Sequence, residues 1–291
     1  MKGGDPHRFA ALRAEEIVRE RNISSLPVNV LSLAADLDIV VAPKPASSAG
    51  VSGMLLRVGQ NFGIAYATHI ESEGFQRFSI AHELGHYFLA GHVDAVLANG
   101  DVHESRAGFA SGDKYEMEAD HFAAGLLMPK SLFVPALRKA GRGLSAVVKL
   151  AGQCVTSLPA TAIRYTQCSC DPVAIVVSTG TTIDYCFMSD ELREYKGLDW
   201  LRKGQGVPHG TATAKLNGDP ENIRLGRRLE DVSTLSAWFG GNRDLELQED
   251  VIGLGSYGKT LTVLYGIELP DEEEEEEERS MQESWTPKFR R

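Results

Sequence analysis

The stretch Phe78-Ser-Ile-Ala-His82-Glu83-Leu-Gly-His86-Tyr-Phe-Leu-Ala90 decides how this chain is read. From Gly74 onward, apolar Phe75, Phe78, Ala81, Leu84 and Phe88 recur at steps of three and four, which predicts a helix. Residues four apart lie on one face of a helix, so His82 and His86 can reach a single metal ion. Glu83 stands about 100° further round the axis, beside any water that ion holds. Zinc brings the pKa of such a water towards roughly 7, and a carboxylate can take its proton as the oxygen attacks an amide carbonyl. The plainer alternative is two histidines on a helix face with no metal.

A catalytic zinc needs a third protein ligand and one open position. His92 lies six residues after His86, as the third ligand does in the pattern H-E-x-x-H-x-x-G-x-x-H. That pattern needs glycine at position 89, where this sequence has Leu89, with the glycine displaced to Gly91. The helix is therefore expected to run on and turn His92 away. A second route comes from Tyr115-Glu116-Met117-Glu118-Ala119-Asp120-His121-Phe122-Ala123-Ala124. Glu116 and Asp120 share a helix face, and small Ala119 and Ala123 admit a second helix close by. Glu116 is the expected metal ligand, and Asp120 the acceptor for the free N–H of a ligating histidine. Glu118 lies roughly 200° round from Glu116 and cannot share its role. The second route is preferred to a solvated acidic face.

These residues resemble the ImmA/IrrE metallopeptidase family. The first helix motif carries the likeness together with Glu116-x-Glu-Ala-Asp-x-Phe-Ala-Ala-x-Leu-Leu-Met-Pro129, and the second motif is the more specific. The layout is most similar to the radiation-response regulators of that family, over roughly residues 8–270. The resemblance implies an α+β architecture in four parts: a zincin-like zinc metallopeptidase domain (8–129), a helix-turn-helix-like segment (130–170), a C-terminal GAF-like α/β sensor domain (171–270) and a disordered acidic tail (271–291). It also implies His82, His86 and Glu116 as ligands of zinc, with manganese as the alternative, and Glu83 as the catalytic base. The implied activity is specific proteolysis of a helix-turn-helix transcriptional repressor, relieving repression of DNA-damage and radiation-response genes. The competing reading is a DNA-binding transcription regulator whose peptidase-like domain is not catalytic. An intact glutamate between the two histidines favours the protease.

Around the metal helix, Met54-Leu55-Leu56 and Gly63-Ile64-Ala65-Tyr66 read as a β-hairpin, offering either an exposed edge for an extended substrate or a cover for the core. Tyr66, His92, His103 and Tyr115 are candidates to stabilise an oxyanion. Residues 8–22 suggest an amphipathic helix, and Pro27 opens a shorter one. A polar, glycine-rich stretch runs from Gly91 to Gly112. Residues 130–170 hold six basic side chains and no acidic one, and Leu144–Gly152 with Leu158–Tyr165 can form a helical pair. The second of these helices carries Pro159 and a single basic residue, Arg164, so direct DNA binding is not expected. Val173–Val177, Thr181–Phe187 and Leu261–Tyr265 read as strands, with helices at Ser189–Tyr195 and Leu229–Phe239. Nothing there names a ligand, although a small molecule would suit a sensor domain.

Composition sets the outer limits. The 291 residues are 43% hydrophobic and 24% charged, which excludes a disordered or collagen-like chain. The net charge is −10, and half of it sits after Pro270, where nine acidic residues face four basic ones. Seven consecutive glutamates cannot bury apolar area, so this acidity says little about partners. No apolar run reaches about 18 residues, so no membrane span is expected. Met1-Lys2-Gly3-Gly4-Asp5-Pro6 lacks the apolar core of a signal peptide, and the cytoplasm is the expected location. Cys154, Cys168, Cys170 and Cys186 are expected to be buried free thiols, since the C-x-C pair has no histidine or second pair beside it.

Overall fold

A computed structural model describes residues 6–44, 50–106, 112–241 and 244–270. The acidic run after Pro270 lies outside the described residues. The chain divides into two compact units, Met1–Cys168 and Ser169–Arg291. No single helix among the described residues is long and apolar enough to cross a membrane.

The first unit runs α1 (Pro6–Glu20), α2 (Val30–Ala35), β1 (Val40–Pro43), β2 (Gly53–Val58), β3 (Asn61–Tyr66), α3 (Glu73–Phe88), α4 (His92–Val96), β4 (Val102–Ser105), α5 (Lys114–Leu127), α6 (Lys130–Ala140), α7 (Gly143–Cys154) and α8 (Leu158–Cys168). Its sheet has the order β1-β3-β2-β4, parallel between β1 and β3 and antiparallel elsewhere. The expected hairpin is β2–β3, but neither strand is an edge. Each is flanked on both sides, because β1 and the short β4 pair along them. β4 is not legible in the sequence: four residues inside a polar, glycine-rich stretch carry too little apolar alternation to register.

Alternation along the strands sets the face that meets α3. Leu55 pairs with Ile64 and with His103, and Gly53 with Tyr66 and with Ser105, so these residues share one side of the sheet. Leu55 and Ile64 are buried there with Ile80 and Leu84 of α3. α5 packs against both α3 and α1. Both approaches are close because small residues meet: Gly85 against Ala119, and Gly125 against Ala11 and Ala14.

α7 and α8 are joined by a short turn and meet at 111°. That turn packs on the start of α3, where Gly74 approaches the backbone of Thr156. Arg164 of α8 donates to the carbonyl of Met128 at 2.9 Å and stands 3.5 Å from Glu15.

The second unit is built on a five-stranded antiparallel sheet, ordered β6-β5-β9-β8-β7. Its elements are β5 (Ala174–Thr179), β6 (Thr182–Met188), α9 (Asp190–Glu194), α10 (Ala212–Asn217), α11 (Pro220–Arg224), β7 (Arg228–Thr234), α12 (Leu235–Phe239), β8 (Glu246–Gly253) and β9 (Thr260–Tyr265). The helix expected over Leu229–Phe239 is a correction. Its first half is strand β7, with half-buried and exposed residues alternating as an edge strand requires, and only Leu235–Phe239 is helical. Trp238 and Phe239 anchor that helix in a core with Val176, Ile183, Leu192, Leu247 and Leu264. All four cysteines are free thiols, but only Cys154 and Cys168 are buried; Cys186 is half-buried and Cys170 exposed. Burial raises the Cys154 thiol to about 11 and the Cys186 thiol to about 12, which leaves both unreactive.

Candidate metal centre

α3 begins where Ser72 accepts the amide of Phe75, and α5 where Asp113 accepts the amides of Tyr115 and Glu116. This second cap fixes Glu116 in the first turn of α5, facing α3. Ligand atoms of His82, His86 and Glu116 all lie within 4.8 Å of one another. The two Nε2 atoms are 3.1 Å apart, and Glu116 places one oxygen 3.4 Å from that of His82 and the other 3.3 Å from that of His86. Two imidazole nitrogens and a carboxylate are the donor set of a single-metal hydrolytic site.

The surroundings suit a cation. Both histidines and Glu83 are fully buried. Neither Glu83 oxygen has a hydrogen-bond partner in the described structure. Burial, opposed by the charge of His82, raises its carboxyl to about 7. Burial pulls His82 down, yet hydrogen bonds to Asp120 and Glu116 overcome it and raise the imidazole to about 10. Burial lowers His86 to about 4, the Glu116 hydrogen bond notwithstanding, and the charge of His82 adds to the fall. Burial would raise Glu116, but hydrogen bonds from His103, His82 and His86 carry it well below the usual carboxylate range. The two carboxylates on these imidazoles, Glu116 and Asp120, thus hold a proton on His82 where a divalent cation would balance the same charge.

Asp120, one turn beyond Glu116, places Oδ1 2.8 Å from Nδ1 of His82. His92 departs from expectation. α3 stops at Phe88, Leu89 turns to extended backbone, and Gly91 takes a left-handed φ of 79° that folds α4 back. His92 is thereby buried, with its Nδ1 3.2 Å from Nδ1 of His86 rather than turned away. It is not in the ligand cluster. Glu118, set aside as a ligand, bonds Nε2 of His92 at 2.9 Å.

Of the four oxyanion candidates, His103 stands at the cluster, its Nε2 2.8 Å from Glu116 and its ring 4.8 Å from that of His86. Tyr115 instead packs edge-on against His92. Tyr66 is in register with Gly53 beside Glu83. The carboxylates flanking the histidines are legible as an i, i+4 pattern. Gly53 is not, because only strand pairing brings it to α3.

A histidine pair one turn apart on a buried helix, a glutamate beside them and a carboxylate donor from a crossing helix define a metallopeptidase-like centre. Residues 34–153, which contain all of these groups, match the family model Peptidase_M78, described as an IrrE N-terminal-like domain. This stretch is thus an IrrE N-terminal-like domain, of the kind found in the ImmA/IrrE family. Among solved structures it is similar to a Mycobacterium tuberculosis transcriptional regulator, at 15% identity, over 89% of this chain and 76% of that one, with a TM-score of 0.53. At that identity the likeness is one of fold. No curated protein matches the sequence.

Proposed function

We propose that the chain is a zinc-dependent, site-specific endopeptidase of the cytoplasm that cuts a helix-turn-helix transcriptional repressor and so derepresses DNA-damage and radiation-response genes. The observation that carries the catalytic part is Glu83: a fully buried carboxylate between two histidines, in a domain that matches a family of metallopeptidases. His82, His86 and Glu116 would hold the zinc, or manganese in its place. When bound, the metal supplies Lewis-acid polarisation and a more acidic water. Glu83 takes the proton of the attacking water and passes it to the leaving amine. Asp120 orients His82 through its Nδ1. His103 is the side chain best placed to donate to the developing oxyanion.

The free side of β4, an edge among the described strands, is suited to pair with an extended segment of substrate. The transcriptional-regulator neighbour is consistent with a repressor as substrate but does not name one. The second unit, built on an antiparallel sheet, would serve as a GAF-like domain that takes a small-molecule signal. Direct DNA binding through α7 and α8 is not favoured, since Arg164 is engaged by Met128 and Glu15.

The test is incubation of the full chain, zinc and a helix-turn-helix repressor of damage-response genes, followed by intact mass, with Glu83→Gln in parallel. One discrete cut by the wild type alone supports the reading. No cut, with zinc bound and the repressor folded, counts against it.

A further inference from the structure

The two histidines of the centre are supported from behind in different ways. His82 leans directly on a carboxylate, Asp120. The corresponding atom of His86, Nδ1, faces another imidazole nitrogen, Nδ1 of His92, at 3.2 Å. Beyond it, Nε2 of His92 is 2.9 Å from Oε2 of Glu118. Lys114, one turn before Glu118, approaches its other oxygen at 3.6 Å. His92 is 1% exposed, and Tyr115 packs edge-on against its ring at 5.0 Å.

We propose that Glu118 and His92 form a positioning relay that fixes the tautomer and orientation of His86 for metal binding. The inference rests on the metal reading of the centre.

Proton placement carries the argument. Two facing nitrogens can share only one proton. Glu118 is an acceptor and takes the Nε2–H of His92, which leaves Nδ1 of a neutral His92 bare. The shared proton must then sit on Nδ1 of His86. Its Nε2 keeps the lone pair, and that is the atom turned towards His82 and Glu116. Reversing any link puts a proton on the metal-facing nitrogen. A carboxylate three side chains from the metal thus decides which nitrogen of His86 can bind it, as outer partners of ligating histidines do elsewhere. One helix, α5, supplies a donor from Glu116, the support of His82 from Asp120, and that of His86 from Glu118.

The experiment uses the full chain and Co2+ as the probe. Affinity is measured by chelator competition for wild type, His92→Phe, His92→Gln and Glu118→Gln, alongside melting curves in EDTA. His92→Phe keeps a ring but removes the acceptor, and Co2+ affinity should fall about 10- to 100-fold. His92→Gln offers an amide oxygen to the same proton and should recover part of the loss. Glu118→Gln, isosteric and uncharged, should lose several-fold.

In the Co2+ protein, the exchangeable ring proton of His86 should give a shifted proton resonance that is lost in His92→Phe. Packing alone would not move that signal. If His92→Phe fails to fold, the Glu118→Gln affinity decides the matter. Wild-type affinity in a folded His92→Phe, or in Glu118→Gln, overturns the relay alone. Failure of the wild type to bind Co2+ overturns the metal reading and the relay with it.

Discussion

Gly53 lies directly over Glu83: a Cβ built on Gly53 would fall 2.4 Å from Oε1 of the glutamate. The central strand of the sheet therefore has no side chain at the one position where the buried carboxylate needs room. The obstructing atom is the end of a side chain, so Gly53→Ala should be absorbed by swinging Glu83 aside rather than by unfolding. Misplacing a catalytic group by about 1 Å can cost about 10²-fold in rate. Gly53→Ala should lower the cleavage rate by about that factor, while chelator competition finds metal affinity within about 3-fold of wild type. An unchanged rate would mean that Glu83 does not act from this position.

Glu83 and His82 have separable roles. Glu83→Gln should retain the metal and lose cleavage, whereas His82→Ala should lose both. Metal content by elemental analysis, read beside intact mass of the substrate, distinguishes the two. Retained cleavage in Glu83→Gln would sink the proposed mechanism.

Burying Glu83 has a thermodynamic consequence for the metal-free protein. Its carboxyl rises from 4.5 to about 7 on folding. Between those values the unfolded chain releases a proton that the native state keeps, so this contribution to stability is full below pH 4.5 and is lost as pH rises to about 7. A shift of this size corresponds to about 3 kcal/mol at most. Glu83→Gln removes the titration. In EDTA, its stability relative to wild type should therefore grow from pH 4.5 to pH 7 and level off above. Parallel denaturant curves across that range would expose an error in the sign.

How much of this centre can be read without coordinates depends on what holds each residue. His82, Glu83, His86, Glu116 and Asp120 sit on two helices, where spacing in sequence is spacing in space, and in the structure all but Glu83 lie within 3.4 Å of another member of the set. His92 follows a left-handed glycine, and its direction hangs on where the helix stops, which two alternatives at Leu89 and Gly91 leave open. The helical arithmetic that singles out Glu116 places Glu118 on another face of α5. It points away from the donor cluster but towards α4, which returns along its flank. His103 and Gly53 arrive by strand pairing across about 50 residues of chain, and no local period encodes that. In the second unit, β8 was hidden by its acids: Glu249 is fully buried, bonded to Thr213 and Trp238, so a charged letter there marks a core strand.

The crossing of α3 and α5 can be tested at Gly85, whose added Cβ would stand 3.2 Å from the Cα of Ala119 and 3.3 Å from its carbonyl oxygen. These are backbone atoms of the helix that carries Glu116 and Asp120, so relief requires α5 itself to shift by a few tenths of an ångström. Two effects oppose each other in Gly85→Ala. The helix gains roughly 1 kcal/mol of intrinsic propensity, and overpacking costs about 1–3 kcal/mol. Net stability in EDTA should therefore change little, or fall by up to about 2 kcal/mol. The donor set has no such compensation, because Glu116 moves with α5 while the histidines stay on α3. Metal affinity by chelator competition should fall by a larger factor than the change in stability accounts for. If affinity and stability change together, or neither does, the spacing of these two helices does not set the metal geometry.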